Sequence, residues 1–294
     1  MSKANRAKPG FLVVAMAAAI SAGICSTSAP MASATLLAYE PFNYTPGTSL
    51  VGTATTGTGF TGTWSDTGYL GGTESFSVSS GSLTYSSLAT ADNSVTGITA
   101  TSGTYPNDVE TLATPIAGPT ATDTSVTTWY SVLIRTPSSV SNPGGLDIVA
   151  TGHTIFAGTS NSSAWGLSYV GAGNGSTGAS TISADTTYLV VLENVAKYSS
   201  GAESDTWSLY VDPTVGQTSP GVAATVVNTA LVAGKVTAIG MSSVNPYSWD
   251  EIRVGTTYAS VTPAVPEPAT LGLLLLAGGS LLLKKRRPSA QGPR

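Results

Sequence analysis

The chain has 294 residues, of which only 10% are charged, with one cysteine and one histidine. That length suits one or two domains, and a single histidine rules out histidine-rich metal sites. Between positions 35 and 268 four basic residues (Arg135, Lys197, Lys235 and Arg253) face all sixteen acidic ones, a formal −12, while both ends are basic; a body so acidic repels phosphate backbones, which excludes nucleic acid as a partner.

In chain order, the N-terminus carries Lys3, Arg6 and Lys8, then an apolar run over 11–24, then small residues ending in Ala32-Ser33-Ala34. Basic region, short apolar region and A-x-A site form the three-part pattern of a secretory signal peptide, here residues 1–34, with cleavage after Ala34 by signal peptidase. An uncleaved anchor is the rival reading, but the run is shorter than the ~20 residues a spanning helix needs. A lipoprotein signal is a second alternative, because Cys25 follows Ala22-Gly23-Ile24; bulky Ile24 occupies the place where a small residue belongs. Removal of the signal removes Cys25, and with it disulfides, thiol catalysis and cysteine-ligated zinc.

Residues 35–263 hold short β-rich runs broken by Gly, Pro, Asn and Ser, without a long 3.6-residue period. Strands are expected over 74–79, 82–85, 128–136, 164–170, 187–195, 206–211, 237–242 and 248–255. Period-two alternation puts Trp165, Leu167 and Tyr169 on one face, and Trp207, Leu209 and Val211 on another. Many short strands without intervening helices point to an all-β sandwich or barrel. The low-complexity tract 52–63 reads as an exposed loop, with tight turns around Phe60 and Trp64.

Catalytic patterns are scarce. Glycoside hydrolysis needs two carboxylates flanking a bond; Glu203-Ser204-Asp205 supplies half of an E-x-D-x-x-E strand motif, but Ser208 stands where the last acid belongs. Asp250 and Glu251 are adjacent, so on a regular strand they point to opposite faces. His153, with Asp147 nearby in sequence, lies in Thr151-Gly152-His153-Thr154, which reads as a turn into a strand with no nucleophile-elbow motif. No catalytic residue or cofactor is therefore expected. Calcium stays open through the oxygens of Asp212, Asp250 and Glu251, although no D-x-D-x-D-G loop occurs. For glycan stacking, Trp129, Trp165 and Trp207 are expected in the core, leaving Tyr105 and Tyr247, each beside a proline, as candidates for exposed rings.

After Ala264 come Val265-Pro266-Glu267-Pro268, an apolar stretch over 269–283 and the basic cluster Lys284, Lys285, Arg286 and Arg287. Apolar residues partition into a bilayer and adjacent cations hold the following end on the cytoplasmic side, so the stretch reads as a single transmembrane helix with a stop. Fifteen residues are marginal for a full span, and snorkelling Lys and Arg stems extend the reach.

The three parts in this order over 265–287 resemble the PEP-CTERM sorting domain of bacterial exported proteins. That resemblance implies processing by an exosortase near the sorting motif Pro266, Glu267 and Pro268, in a cell that makes exopolysaccharide. The body resembles a concanavalin A-like, laminin-G-like jelly-roll β-sandwich. This likeness rests on Tyr39-Glu40-Pro41-Phe42-Asn43-Tyr44 with Gly57, Gly59, Phe60, Gly62 and Trp64; on Trp207-Ser208-Leu209-Tyr210-Val211-Asp212-Pro213; and on Trp249-Asp250-Glu251-Ile252-Arg253-Val254-Gly255, which looks like a closing strand. The expected organisation is a signal peptide (1–34), a sandwich domain (35–263) and a sorting tail (264–294). It implies a non-enzymatic surface or matrix protein, transiently in the inner membrane through its tail and then at the cell surface. The alternatives are a lectin-like module for exopolysaccharide and a divergent glycoside hydrolase. N-terminal sequencing of exported protein is expected to begin at Thr35; an intact Met1 on mature protein refutes the signal assignment.

Overall fold

The computed structural model describes residues 34–67, 75–100, 106–120, 125–159, 164–170 and 175–265. The β-rich runs become β1 (Leu36–Glu40), β2 (Phe60–Asp66), β3 (Ser77–Ser79), β4 (Ser94–Thr96), β5 (Asn107–Ile116), β6 (Ser125–Arg135), β7 (Gly144–Ala150) and β8 (His153–Thr159). They continue as β9 (Ala164–Tyr169), β10 (Ser176–Thr181), β11 (Thr187–Ser199), β12 (Ala202–Val211), β13 (Val226–Asn228), β14 (Val236–Ser243) and β15 (Ser248–Gly255), closed by one short helix, α1 (Tyr258–Val261). All named pairings are antiparallel. The first sheet runs β13-β12-β11-β6-β15-β4-β3, with β1 also beside β15; the second runs β10-β9-β8-β7-β14-β5-β2.

The two sheets bury a shared core. Tyr130, Val132 and Ile134 of β6, Leu192 of β11, Trp207 and Leu209 of β12 and Trp249 of β15 belong to the same apolar cluster as Leu146 and Ile148 of β7, Ile155 of β8, Trp165 and Leu167 of β9, and Ile239 and Met241 of β14. The expected alternation on β9 and β12 is therefore real, and its apolar face is the inner one. Phe60 and Trp64 are core anchors at the start and middle of β2, so the tract that reads as loop ends inside a strand.

The first sheet buries its outer face as well. Trp129 and Leu133 of β6 with Leu189 and Val191 of β11 form a second cluster with Leu88, Val215, Tyr258 and Val261, and Trp129 meets Tyr258 edge-on at 5.4 Å. Covering both faces explains why β6 and β11 read as nearly continuous apolar runs rather than alternating ones. The segment around 82–85, expected as a strand, is instead part of a strap across this outer face, with Leu83 and Tyr85 packed on the second cluster. Polar groups hold it there: Leu83 N–H donates to Asp250 Oδ2 (2.7 Å), Ala91 N–H to Glu251 Oε1 (2.5 Å), and Arg253 Nη2 to the Ala89 carbonyl (2.5 Å).

That clamp depends on an irregularity in β15. Asp250 pairs with Leu133 and Arg253 with Ser131, so Glu251 and Ile252 together face one residue of β6, and Glu251 takes φ +58°. This is a β-bulge. It corrects the expectation that adjacent Asp250 and Glu251 point to opposite faces: the extra residue lets both carboxylates reach the strap, while Ile252 still enters the core.

Glu251 and Arg253 form a buried ion pair, 1% and 4% exposed. Removing one partner leaves an uncompensated charge in the interior, which typically costs about 3–5 kcal/mol. Arg253→Met is therefore expected to lower the urea unfolding midpoint sharply, and Glu251→Gln in the same chain to recover part of the loss. Tryptophan fluorescence during urea titration measures both effects.

Candidate functional site

The structure sorts the sequence candidates. Ala32, Tyr105, the motif Pro266, Glu267 and Pro268, the apolar stretch and Lys284, Lys285, Arg286 and Arg287 lie outside the described residues. Among the described residues no helix is long and apolar enough to cross a membrane. Trp129, Trp165 and Trp207 are buried as expected. Tyr247 is not an exposed ring: it is fully buried, its hydroxyl pairs with Thr159 Oγ1 (2.7 Å) and donates to the Asn142 carbonyl (2.9 Å). A side chain at Gly144 would collide with that ring, so the glycine makes room for it.

The three possible calcium ligands already serve backbone. Asp250 accepts from Ser82 and Leu83 through Oδ2 and from the Glu251 N–H through Oδ1. Glu251 accepts from Ala91 and Arg253, and Asp212 Oδ1 accepts from Leu189 N–H at 3.0 Å. No group of three or more His, Cys, Asp or Glu suited to a metal occurs among the described residues. His153 and Asp147 do not meet. His153 pairs with Ala150 in register, in phase with the core positions of β8, whereas Asp147 pairs with Phe156 three rungs away on the opposite face. His153 is exposed and its ring lies 4.9 Å from that of Tyr169.

Asp147 belongs to a different constellation, on the outer face of the second sheet. Registered pairing across five strands, β5-β14-β7-β8-β9, aligns Asn107, Ser242, Gly145, Gly158 and Gly166 in one row. The next row on the same face is Val109, Gly240, Asp147, Phe156 and Ser168. Four of these ten positions lack a side chain, and neighbouring side chains lean over two of them, Val109 over Gly240 and Phe156 over Gly158, so seven of the ten positions are buried. Gly145 and Gly158 face each other so closely that a Cβ on either would strike the partner strand. Phe156, Ser168 and Ser242 are half-buried on this face. Asp147 is fully buried, accepts from Asn107 Nδ2, and its Oδ1 has no hydrogen-bond partner among the described residues. Asn107 is itself oriented by the Thr67 hydroxyl and by its own carbonyl, which accepts from Thr67 N–H at 3.1 Å. Burial drives the Asp147 carboxyl up to about 7, against the opposing pull of its hydrogen bonds to Ser242 and Asn107. Sequence reading weighed Asp147 only as a partner for His153; the repeated glycines in Gly144-Gly145 and Gly158 were the signal for the close approach of β7 and β8 on this face.

Apart from Asp250 and Glu251 under the strap, the other buried acids point inward. On β5, Asp108, Glu110 and Leu112 alternate onto the core face, an acidic pattern where apolar residues are usual. Asp108 Oδ2 accepts from Phe76 N–H (3.0 Å) and Ser75 Oγ (3.1 Å), tying the start of β3 to the second sheet. Glu110 lies against Glu40 of β1, and both are fully buried. Glu40 accepts from Phe42 N–H (2.6 Å) and the Tyr44 hydroxyl (2.9 Å), and Tyr44 in turn accepts from Trp64 Nε1 (3.0 Å). Glu40 thus has donors for its charge, whereas neither oxygen of Glu110 has a hydrogen-bond partner among the described residues, so Glu110 is the harder of the two to ionise. Burial first, then the Glu40 charge, raises Glu110 to about 9. Glu203 and Asp205 also face inward on β12; burial and then the Asp205 charge raise Glu203.

No family model matches the chain, and no curated protein matches it. Solved structures similar to it include domain 4 of AbnA, a GH43 extracellular arabinanase from Geobacillus stearothermophilus, in complex with arabinotriose (15% identity, 78% of this chain and 97% of that one, TM-score 0.42). Others are endo-1,3-β-glucanase from Streptomyces sioyaensis (11% identity, 78% and 99%, TM-score 0.42) and peanut lectin (11% identity, 77% and 99%, TM-score 0.37). At these scores the likeness carries no argument, and the architecture rests on the strand pairing above.

The raised carboxyls set a pH dependence. Asp108 and Asp147 titrate at about 7, Asp250 at about 8 and Glu110 at about 9 in the folded chain, all above the usual carboxylate range. The folded state therefore keeps protons that the unfolded state has already lost. Stability is fully present below the ordinary carboxylate pKa and falls as pH rises through these values, by up to about 1.4 kcal/mol per pH unit for each group still protonated. Urea midpoints are expected to fall from pH 5 to pH 9. Glu110→Gln, which keeps a donor beside Glu40, is expected to flatten the last part of that fall, above pH 8.

Proposed function

We propose that the chain is an exported surface or matrix protein, delivered through its PEP-CTERM-like tail, whose jelly-roll sandwich binds polysaccharide and does no chemistry. The observation that carries the binding reading is the outer face of the second sheet. The half-buried residues of its two rows are Phe156, whose ring can stack on a sugar, and Ser168 and Ser242, which carry hydroxyls. Among the described residues the two rows of this face hold one carboxylate, Asp147, whereas glycoside hydrolysis takes two across the bond. The acid pairs of the chain stand elsewhere: Asp250 with Glu251 under the strap, Glu40 with Glu110 in the core, Glu203 with Asp205 beneath the segment before β14. The formal −12 of the body disfavours anionic glycans, so the ligand class is a neutral polysaccharide. The signal pattern and the tail supply delivery: signal peptidase at Ala34, then an exosortase at Pro266-Glu267-Pro268, with Lys284 to Arg287 holding the tail during transfer.

Two experiments test the two halves. Affinity electrophoresis through gels containing neutral glucans is expected to retard the wild type and not Phe156→Ala, with circular dichroism unchanged and no reducing ends released. Unretarded wild type across the panel, or release of reducing ends, refutes the binding reading. For delivery, an epitope is placed before Val265 in a host with sorting machinery. Alanine at Pro266, Glu267 and Pro268 is expected to leave the protein translocated but membrane-retained; neutral residues at Lys284, Lys285, Arg286 and Arg287 are expected to weaken the stop. Normal release of the motif variant would show that the tail is an anchor only.

A further inference from the structure

Glu203 and Asp205 are two apart on β12 and share its inner face, where Asp205, opposite Ala196, stands diagonally across from Asn194 of β11, which is opposite Trp207. The neighbours use one oxygen of each carboxylate: Ala233 N–H donates to Asp205 Oδ2 (2.8 Å) and Gly234 N–H to Glu203 Oε1 (3.2 Å). Asn194 Nδ2 approaches the same Asp205 Oδ2 at 3.4 Å. That leaves Asp205 Oδ1 and Asn194 Oδ1 with no hydrogen-bond partner, on side chains only 2% and 6% exposed. Buried oxygens left unpaired mark a missing water or ion, and the buried, unpartnered Tyr130 hydroxyl feels the Asp205 charge as well. Charge argues for the ion. Glu203 and Asp205 repel each other, and the one ion pair between side chains of the described residues is Arg253 with Glu251, so no basic side chain answers them there. Gly118 lies on the other side: a Cβ there would stand 2.8 Å from Glu203 Oε2, so the carboxylate end packs close against this backbone.

We propose that Glu203, Asp205 and Asn194 hold a calcium ion through side-chain oxygens, at the junction where the chain passes from β13 to β14. Calcium takes six to eight oxygens in flexible geometry and accepts carboxylate, amide and water ligands together, which suits two carboxylates and one amide. The ion neutralises the paired acids and pins the segment 229–235, whose Leu231 and Ala233 enter the core. This site is separate from the outer face of the second sheet and does not depend on glycan binding.

The test uses the full chain, stripped with EDTA. Calcium is expected to raise the melting temperature. Terbium is expected to emit on excitation at tryptophan wavelengths, because Trp207 is two residues from Asp205 on the same face, and calcium is expected to quench that emission by displacement. Glu203 is half-buried, so Glu203→Gln is expected to fold and to weaken calcium by roughly tenfold or more through loss of one ligand charge. Asn194→Asp separates the readings further: a third carboxylate is expected to tighten calcium and to destabilise the EDTA-stripped protein. A wild type with no calcium-dependent melting shift and no sensitised terbium emission overturns the proposal and leaves the oxygens to water. A calcium response that both variants leave unchanged places the ion elsewhere and overturns it too.

Discussion

The first sheet has to bury two faces at once, and β15 is the strand that makes this possible. Its inner residues Trp249, Ile252 and Val254 belong to the core between the sheets. Its outer residues Asp250, Glu251 and Arg253 grip the strap that covers the second cluster. A regular strand could not present two consecutive carboxylates to one side; the bulge at Glu251 does so at the cost of a left-handed residue. The same strand lies between β6 and both β1 and β4, so the first strand of the domain is paired to the last. Core, strap and chain closure thus meet on eight residues.

Carboxylates recur as the fastening device. Asp108 ties β3 to the second sheet, Glu40 fastens the Phe42–Tyr44 turn, Asp212 caps the edge of β11 at Leu189, and Asp205 and Glu203 take the N–H groups before β14. The described residues hold no cysteine and so no covalent staple, and loops rich in Gly, Ser and Thr offer little apolar surface to hold them down. A carboxylate accepting backbone N–H groups is a strong substitute, because charge-assisted hydrogen bonds are roughly twice as strong as neutral ones. Desolvation is the counterweight, and it shows in the raised titration of Asp108, Asp250 and Glu110.

Part of this was legible in the sequence. Alternation in Trp165-Gly166-Leu167-Ser168-Tyr169 and in Trp207 to Val211 identified strands and their inner face, because one face of each is core. The strand β7 was missed and β8 was read only as the strand that the turn at Gly152 enters: glycines in Gly144-Gly145 and Gly158 look like breakers, yet Gly145 and Gly158 sit opposite one another where the two backbones approach closely. Tyr247 was misread because Pro246 signals a loop, while the ring turns into the gap left by Gly144. The strap 82–85 carries strand-like residues but finds no strand beside it, only the apolar outer face of β6 and β11. The candidate site was least legible, since Asn107, Asp147 and Phe156 are scattered over fifty residues and meet only through register.

The two ends of the domain are fastened with no slack. Thr35 N–H donates to Thr256 Oγ1 (3.2 Å), and its carbonyl accepts from Thr256 N–H (3.0 Å). At the other end Ala264 bridges to Leu88, and Val265 N–H donates to the Ser87 carbonyl at 2.8 Å. Pro266 follows with no spacer. Any enzyme that grips residues 266–268 as an extended chain therefore meets a folded edge one residue away, and must either fit against that edge or peel it back. Peeling starts at Val265 and Ala264 and works on the strap rather than on the sheets. Under the processing proposed above, the strap's tolerance for being lifted at Ser87 and Leu88 would set how readily the tail is cut, so substitutions far from the motif, at Asp250 or Arg253, would be felt as changes in its pace.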